Sequence, residues 1–401
     1  METSLVTLIE SAPEATGELA RHFYGLNSSK QPGVALASAI SLISCLRGDM
    51  LMSPSGLSSN LFCVALSQTG SGKSRTFRRV KEVLTECSLE GRLMGKPKSG
   101  SAINRRLSNF PHSYLLWDEL GQFLSKSNLT SHEEDIVSTL INIYSDNGSL
   151  YTPEEYAREL RAPTYTPFLT VCGMSTPQRF INSITRDRLE DGFLNRWLLF
   201  RDVEALEFHP EGHSYPLDPE SLRFIRGYAN TQKKTLTFDS PGLILEIEDV
   251  AKGIRIQHED SLHRALWARA YEQFLKCCIV FADPYGQCSE ESAIFCWDLV
   301  KFLIDDLTEQ CKSKVADSFA EKIVLDKVIK VRDIIPLGQS MTLSALTRKT
   351  QFLKRSERNE IITTLLESEE WARTETADPV RNKKITIYTN ICSLSAIQTA
   401  V

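Results

Sequence analysis

The sequence predicts an α/β fold: a parallel sheet carrying a phosphate-binding loop, a helical lid beside it, and a winged-helix domain at the C-terminal end. Three observations predict it. The apolar run Leu61 to Leu66 leads into Ser67-Gln-Thr-Gly-Ser-Gly-Lys-Ser74, which is followed by the helix-like Arg75 to Thr85. A second apolar run, in Ser113-Tyr-Leu-Leu-Trp-Asp-Glu119, ends in two carboxylates. After about residue 317 the rhythm becomes three helices followed by a pair of strands with a basic tip between them.

The first observation has a direct chemical meaning. In a turn between a buried strand and a helix, successive backbone N–H groups point at phosphate oxygens, and the helix N-terminus adds its positive dipole end. Thr69, Gly70, Ser71, Gly72, Lys73, Ser74 and Arg75 are therefore the expected nucleotide-binding residues. Lys73 would reach the β- and γ-phosphates, and the Ser74 hydroxyl would complete a Mg²⁺ shell. The usual pattern opens with Gly, and Ser67 stands there instead, so the turn must avoid positive φ at that residue. Taken alone, the eight residues also suit an ordinary Gly/Ser turn. A parallel strand delivering Asp118 to the metal's water shell and Glu119 to the attacking water turns the pattern into that of a nucleotide hydrolase.

Composition bounds the rest. A chain of 401 residues suggests two or three domains, and 42% hydrophobic with 24% charged residues is ordinary for a globular protein. A net charge of −5 argues against a surface coated with basic residues, so any contact with nucleic acid must come from local patches. No segment resembles a signal peptide and no run approaches a membrane span, so a cytoplasmic location without membrane contact is expected. The ten cysteines lie mostly in apolar contexts without C-x₂-C pairs, which reads as buried reduced thiols rather than a metal site.

Four regions follow. Residues 1–47 read as an N-terminal helical segment, with helices over Thr16 to Tyr24 and Val34 to Leu46. Residues 48–202 alternate strand and helix, as a nucleotide-binding core would. After the polar Gly95-Lys-Pro-Lys-Ser-Gly-Ser101, helices are expected over Ser101 to Leu107, Leu120 to Ser125 and Glu134 to Tyr144. Arg158 and Arg161 lie in a polar stretch that reads either as a loop projecting into a central pore or as a solvated connection. Pro167 to Cys172 is another buried strand. Ser175 or Thr176 at its tip could sense the γ-phosphate, although small polar residues there are also turn formers. Arg196, just before the strand ending at Phe200, is a candidate for a forked cation that reaches the γ-phosphate of a neighbouring subunit. Pairing with a local carboxylate is the other reading.

Residues 203–315 read as a helical lid with a short β-hairpin, Thr235 to Phe238 and Leu243 to Ile247. The amphipathic pattern from Leu262 to Asp283 predicts one long helix, whose Arg269 either reaches back to the nucleotide or is solvated on the polar face. A second such helix is expected over Glu290 to Cys311. Residues 316–401 form the winged-helix region: Ala316 to Ile334, Leu343 to Thr347 capped by Thr342, Glu357 to Glu367, and the two strands. Lys354, Arg355 and Arg358 with Arg381, Lys383 and Lys384 make a candidate DNA-contacting surface. Winged helices also bind proteins, and Glu367, Glu369 and Glu370 lie close by.

With these residues in place, the layout resembles the P-loop NTPase domain of AAA+ type found in phage, prophage and plasmid proteins that often accompany primases. It is also similar in order to minichromosome-maintenance-type helicases, which end in a winged helix. The resemblance rests on the phosphate loop, Leu116-Trp-Asp-Glu119, Asp191-Gly-Phe-Leu-Asn-Arg196 and the Leu266 to Asp283 segment. It implies ATP and Mg²⁺ as cofactors, with Lys73 and Ser74 on phosphate and metal, Asp118 on the metal side and Glu119 as catalytic base. Ser175 or Thr176 would be the first sensor, Arg196 the arginine finger and Arg269 the second sensor. Ser67 departs from the pattern, and no primase or large N-terminal collar precedes the core, so priming would fall to a separate primase or initiator protein.

The leading expectation is thus an ATP-dependent DNA helicase or translocase, a ring-forming, hexameric homo-oligomer serving replication of a mobile element on single-stranded or forked DNA. The alternative is an ATP-switched DNA-binding initiator, loader or regulator that does not unwind processively. A small-molecule kinase would suit the phosphate loop but leave the winged helix without purpose.

Overall fold

The computed structural model describes residues 4–27, 29–124, 131–146, 149–153, 164–184, 192–202, 217, 219–229, 232–257, 261–368, 370–377 and 384–391. Arg158, Arg161, Arg381 and Lys383 lie outside them. The chain divides into two compact units, Met1–Lys314 and Val315–Val401.

The first unit is built on five parallel strands: β1 (Phe62–Leu66), β2 (Leu93–Met94), β3 (His112–Trp117), β4 (Phe168–Ser175) and β5 (Trp197–Arg201). Their order across the sheet is β2-β3-β4-β1-β5. Strands β1 and β4 are buried at every position, the burial expected of central strands in a covered parallel sheet. Register places Phe62 beside Val171 and Trp197, and Leu66 beside Ser175 and Arg201, so the strands β1, β4 and β5 end together. The helix Pro32–Arg47 packs on β1, β4 and β5. Apart from Pro32 it is buried throughout, as a helix made of Val, Ala, Leu, Ile and Ser must be to escape water. Ser41 and Ser44 on this helix meet Tyr114 and Thr170 of the sheet at 2.8 and 3.0 Å, so these two hydroxyls are satisfied inside the core.

Beyond the sheet the structure departs from the sequence reading in three places. Leu243 to Ile247 is not a strand but part of the helix Pro241–Gln257. Pro241 opens that helix, and the buried Ile244, Ile247 and Ala251 recur at helical spacing, so the alternation of apolar and acidic residues was a local coincidence. The amphipathic run after Leu262 is two helices, Ser261–Trp267 and Ala270–Val280, broken at Arg269, which takes the N-cap position of the second. No Gly or Pro marks that break. Conversely, the two helices expected around residues 290–334 are one, Glu290–Arg332, because the intervening Lys312-Ser-Lys-Val315 contains nothing that stops a helix.

The second unit has its own core of Val331, Ile335, Leu346, Leu353, Ile361, Ile362, Leu365, Trp371 and Tyr388. The short strand β6 (Ser340–Thr342) leads into the helices Leu343–Lys349 and Arg355–Glu367, and β7 (Trp371–Ala377) and β8 (Lys384–Asn390) follow them, the three strands forming an antiparallel sheet in the order β6-β8-β7. Thr342 caps the first of these helices through a bond from the Ala345 N–H at 3.3 Å. This is a winged-helix layout. The chain therefore combines a parallel α/β unit of phosphate-loop type with a C-terminal winged-helix unit. Among the described residues no helix is long and apolar enough to cross a membrane, and the nine described cysteines are free thiols, eight of them buried.

Candidate nucleotide site

Every strand of the sheet points its carboxyl end the same way, and the chemistry collects on that rim. Ser67 follows β1, Asp118 and Glu119 follow β3, Ser175 ends β4 and Asp202 follows β5. Crevices at the carboxyl ends of parallel strands are where α/β sheets bind ligands.

The phosphate loop itself is shaped by two glycines. Gly70 and Gly72 have φ of 81° and 85°, a region that costs a side chain dearly, and a Cβ on Gly70 would meet nothing within 4 Å, so the mouth of the loop is open. Ser67 has no such φ, which is why it is accepted where Gly is usual. Its hydroxyl is buried and lies 3.1 Å from Ser71 Oγ, and its N–H donates to the Ser175 carbonyl at 3.0 Å, tying the loop to β4. Gly72, Lys73 and Ser74 open the helix Lys73–Glu86, so their N–H groups have no intrahelical acceptor.

Lys73 is half-buried, and burial pulls its ammonium below the ordinary lysine value, while the charges of Asp118 and Glu119 push the other way and Arg179 adds to the lowering. The two carboxylates, both exposed, thus lie within electrostatic reach of the lysine. Lys73 Nζ lies 3.5 Å from the Ser67 carbonyl. Glu119 sits at φ 58°, a left-handed conformation uncommon for a residue with a side chain, and its N–H donates to Asp118 Oδ1 at 3.0 Å. Strain of this kind concentrates at functional sites. Behind the carboxylates, a Cβ on Gly121 would stand 2.0 Å from Ser175 Oγ, and one on Gly173 would stand 2.5 Å from Leu120. Only glycine at both positions lets the Asp118–Glu119 turn lie against the tip of β4.

These residues fit a nucleoside triphosphate with a divalent ion: orphan N–H donors, one lysine, and two water-facing carboxylates. Among the described residues no group of three or more His, Cys, Asp or Glu could hold a metal unaided. An ion here would be shared by Ser74 and Asp118 with phosphate oxygens and water, the usual manner of Mg²⁺.

Arg196 and Arg269 are elsewhere. Arg196 immediately precedes β5 and so lies at the opposite rim, about 17 Å along the strand from the level of Leu66, where the phosphate loop begins. It is buried, with Nη2 at 3.1 Å from Ser145 Oγ and Nη1 on the Gly192 carbonyl, and burial followed by the charge of Arg269 pulls its guanidinium below the ordinary value. Arg269 pairs with Glu272, which also holds the fully buried Lys276 at 3.0 Å; burial lowers that ammonium to about 8. Lys276 Nζ rests 3.4 Å from the centre of the Tyr144 ring. Two cations, Arg269 and Lys276, thus share the Glu272 carboxylate at this rim, within electrostatic reach of Arg196. Thr176 is half-buried at the N-cap of the helix Pro177–Asn182. In the second unit Lys354, Arg355 and Lys384 are exposed, and Arg358 is half-buried.

Sequence reasoning missed Arg179, Gln31, Asn27 and Asp202. Arg179 stands one helical turn beyond Ser175, which was signal enough; the others belong to distant segments that only the fold brings to the loop. Asp202 is buried and its Oδ1 accepts the Gly33 N–H at 2.7 Å; burial raises its carboxyl to about 7, opposed by the bonds from Gly33, Val34 and Ser67.

No protein-family model matches the chain, and no curated protein matches it. Among solved structures, it is similar to the Aeropyrum pernix Orc1 protein in complex with DNA. That match has 13% identity over 92% of this chain and 90% of that one, with a TM-score of 0.23. So loose a superposition carries no argument, and the fold class stands on the strand order and the two units described above.

Proposed function

We propose that the chain is an AAA+-type ATPase that works on DNA, as the ring-forming helicase or translocase of a mobile element. The observation that carries the ATPase reading is the convergence of Lys73, Asp118 and Glu119 on one rim of a parallel sheet, beside a loop with unpaired N–H donors. Those donors and Lys73 would hold the β- and γ-phosphates, and Ser74 and Asp118 would hold Mg²⁺, whose charge offsets that of the phosphates. Glu119 would orient the attacking water and take its proton, with Ser175 and Thr176 fixing the far side of the water.

Arg196 and Arg269 support an assembly. Both stand at the far rim, away from the phosphate loop of their own subunit, where among the described residues they lie with Lys276 around the Glu272 carboxylate. Placed against a neighbour's loop, they would stabilise the charge that develops on the γ-phosphate. DNA contact is proposed for the winged helix through Lys354, Arg355, Arg358 and Lys384, and for Arg158, Arg161, Arg381 and Lys383.

The test uses the full chain: ATP turnover with and without forked DNA, together with strand displacement. Turnover that rises with DNA, and strand release lost in Lys73→Ala, is the expected result. Binding without strand release would replace the motor with an ATP-switched initiator or loader, and turnover indifferent to DNA would remove the DNA role altogether.

A further inference from the structure

Just before the buried helix Pro32–Arg47, two polar side chains, Asn27 and Gln31, are buried against the phosphate loop. Asn27 Nδ2 donates to Thr76 Oγ1 at 3.0 Å, in the first turn of the helix after the loop, and a Cβ on Gly72 would stand 3.4 Å from Asn27 Oδ1. Gln31, 2% exposed, goes further. Its Nε2 donates to the Ser71 carbonyl, and to Ser29 at 3.4 Å, while its Oε1 faces the Ser67 hydroxyl at 3.4 Å. One amide thus touches both ends of the turn. The loop's own cross-brace, Ser71 Oγ donating to the Gln68 carbonyl at 2.8 Å with Ser67 Oγ alongside, lies between those two contacts. Gln31 is also the N-cap residue of the buried helix Pro32–Arg47, whose start is pinned to the sheet by Asp202. Its backbone is therefore fixed before any ligand arrives.

The geometry points to Gln31 as a positioning residue for nucleotide binding: its side-chain amide, acting through Ser67 and Ser71, holds the phosphate loop in its open, ligand-ready shape. Ser67 is what makes this possible, because a Gly in its place has no hydroxyl to offer. The loop closes around phosphate by its backbone, so preorganising it cuts the ordering cost of binding. The inference rests on the nucleotide site proposed above. Gln31 is buried and its bonds are to Ser67 and Ser71, away from the Asp118 and Glu119 carboxylates, so its removal should act on affinity and leave the chemical step alone.

The experiment is steady-state ATP hydrolysis by the full chain and its Gln31→Met, Ser67→Ala and doubly substituted variants, with thermal melting as the check on folding. Gln31→Met should raise the KM for ATP about tenfold, the equivalent of one or two lost hydrogen bonds, with kcat within about twofold of the parent. Ser67→Ala should raise KM in the same direction and less. In the double variant the two effects should combine to less than their product, because both act through one contact. A folding defect alone would lower apparent kcat at constant KM. Unchanged KM in a folded Gln31→Met chain, or effects that multiply independently, would overturn the inference; should Gln31→Met fail to fold, unchanged KM in Ser67→Ala does so. If the parent chain itself neither binds nor hydrolyses ATP, it is the site reading that fails, and with it the basis for Gln31.

Discussion

Asp202 offers a measurement that reads the interior of the nucleotide unit directly. Its carboxyl is buried at the end of β5 and is raised from 3.8 to about 7, chiefly by loss of solvent. Because the folded value lies above the unfolded one, the native state keeps a proton that the unfolded chain gives up. The associated stability is complete below about pH 4 and is lost progressively as pH rises to about 7. At about 1.4 kcal/mol per pH unit, ionised Asp202 costs the fold about 4 kcal/mol above that range. Asp202→Asn keeps an oxygen for the Gly33 N–H and cannot titrate. Urea unfolding followed by tryptophan fluorescence suits the test, since Trp117, Trp197, Trp267 and Trp297 all belong to the first unit. The advantage of the variant over the parent should grow by about 2 kcal/mol between pH 5.5 and 7 and then level off above pH 8. An advantage that is constant with pH, or that shrinks as pH rises, would refute the reasoning.

Further outcomes follow from the same geometry. Glu119→Gln should retain ATP binding, measured with a fluorescent nucleotide, while turnover falls by about 100-fold or more. Mixing Arg196→Ala chains with Glu119→Gln chains, each inactive alone, should restore turnover, since some sites then combine an intact carboxylate with a neighbour's arginine. No recovery on mixing would place Arg196 outside the reaction. Gly121→Ala would drive a methyl to 2.0 Å from Ser175 Oγ, and the melting transition should fall by the equivalent of about 1–3 kcal/mol, with turnover lost as the Asp118–Glu119 turn is displaced. Arg201→Ala removes the two-pronged ion pair with Asp306, both partners largely buried, and should cost about 2 kcal/mol in urea unfolding.

How far the sequence announced all this depends on the range of the interaction. Phe62–Leu66 and Phe168–Ser175 are buried on both faces, so their unbroken apolar runs were legible as strands. The phosphate loop and the Asp118–Glu119 pair were legible because their chemistry is local. The helix Pro241–Gln257 was misread because a few alternating residues satisfy a strand and a helix alike, and only the longer spacing of Ile244, Ile247 and Ala251 decides. The break at Arg269 has no breaker residue. Arg269 pairs with Glu272 and sits near Arg196, partners that no local pattern in the chain could have placed. Gln31 was invisible for the same reason: it is separated from Ser71 by a helix and two strands, and an isolated glutamine before a proline carries no signal of its own.

Among the described residues, Asp118, Glu119 and the open loop amides stand at one rim of the sheet, and Arg196, Arg269 and Lys276 at the other. Copies that fit rim to rim would join head to tail, a heterologous arrangement that propagates until its rotation closes on itself. A molecule in isolation would then be only half an enzyme. Under the proposed function, specific activity would climb with protein concentration and collapse on dilution, which would keep turnover silent until enough copies gather in one place.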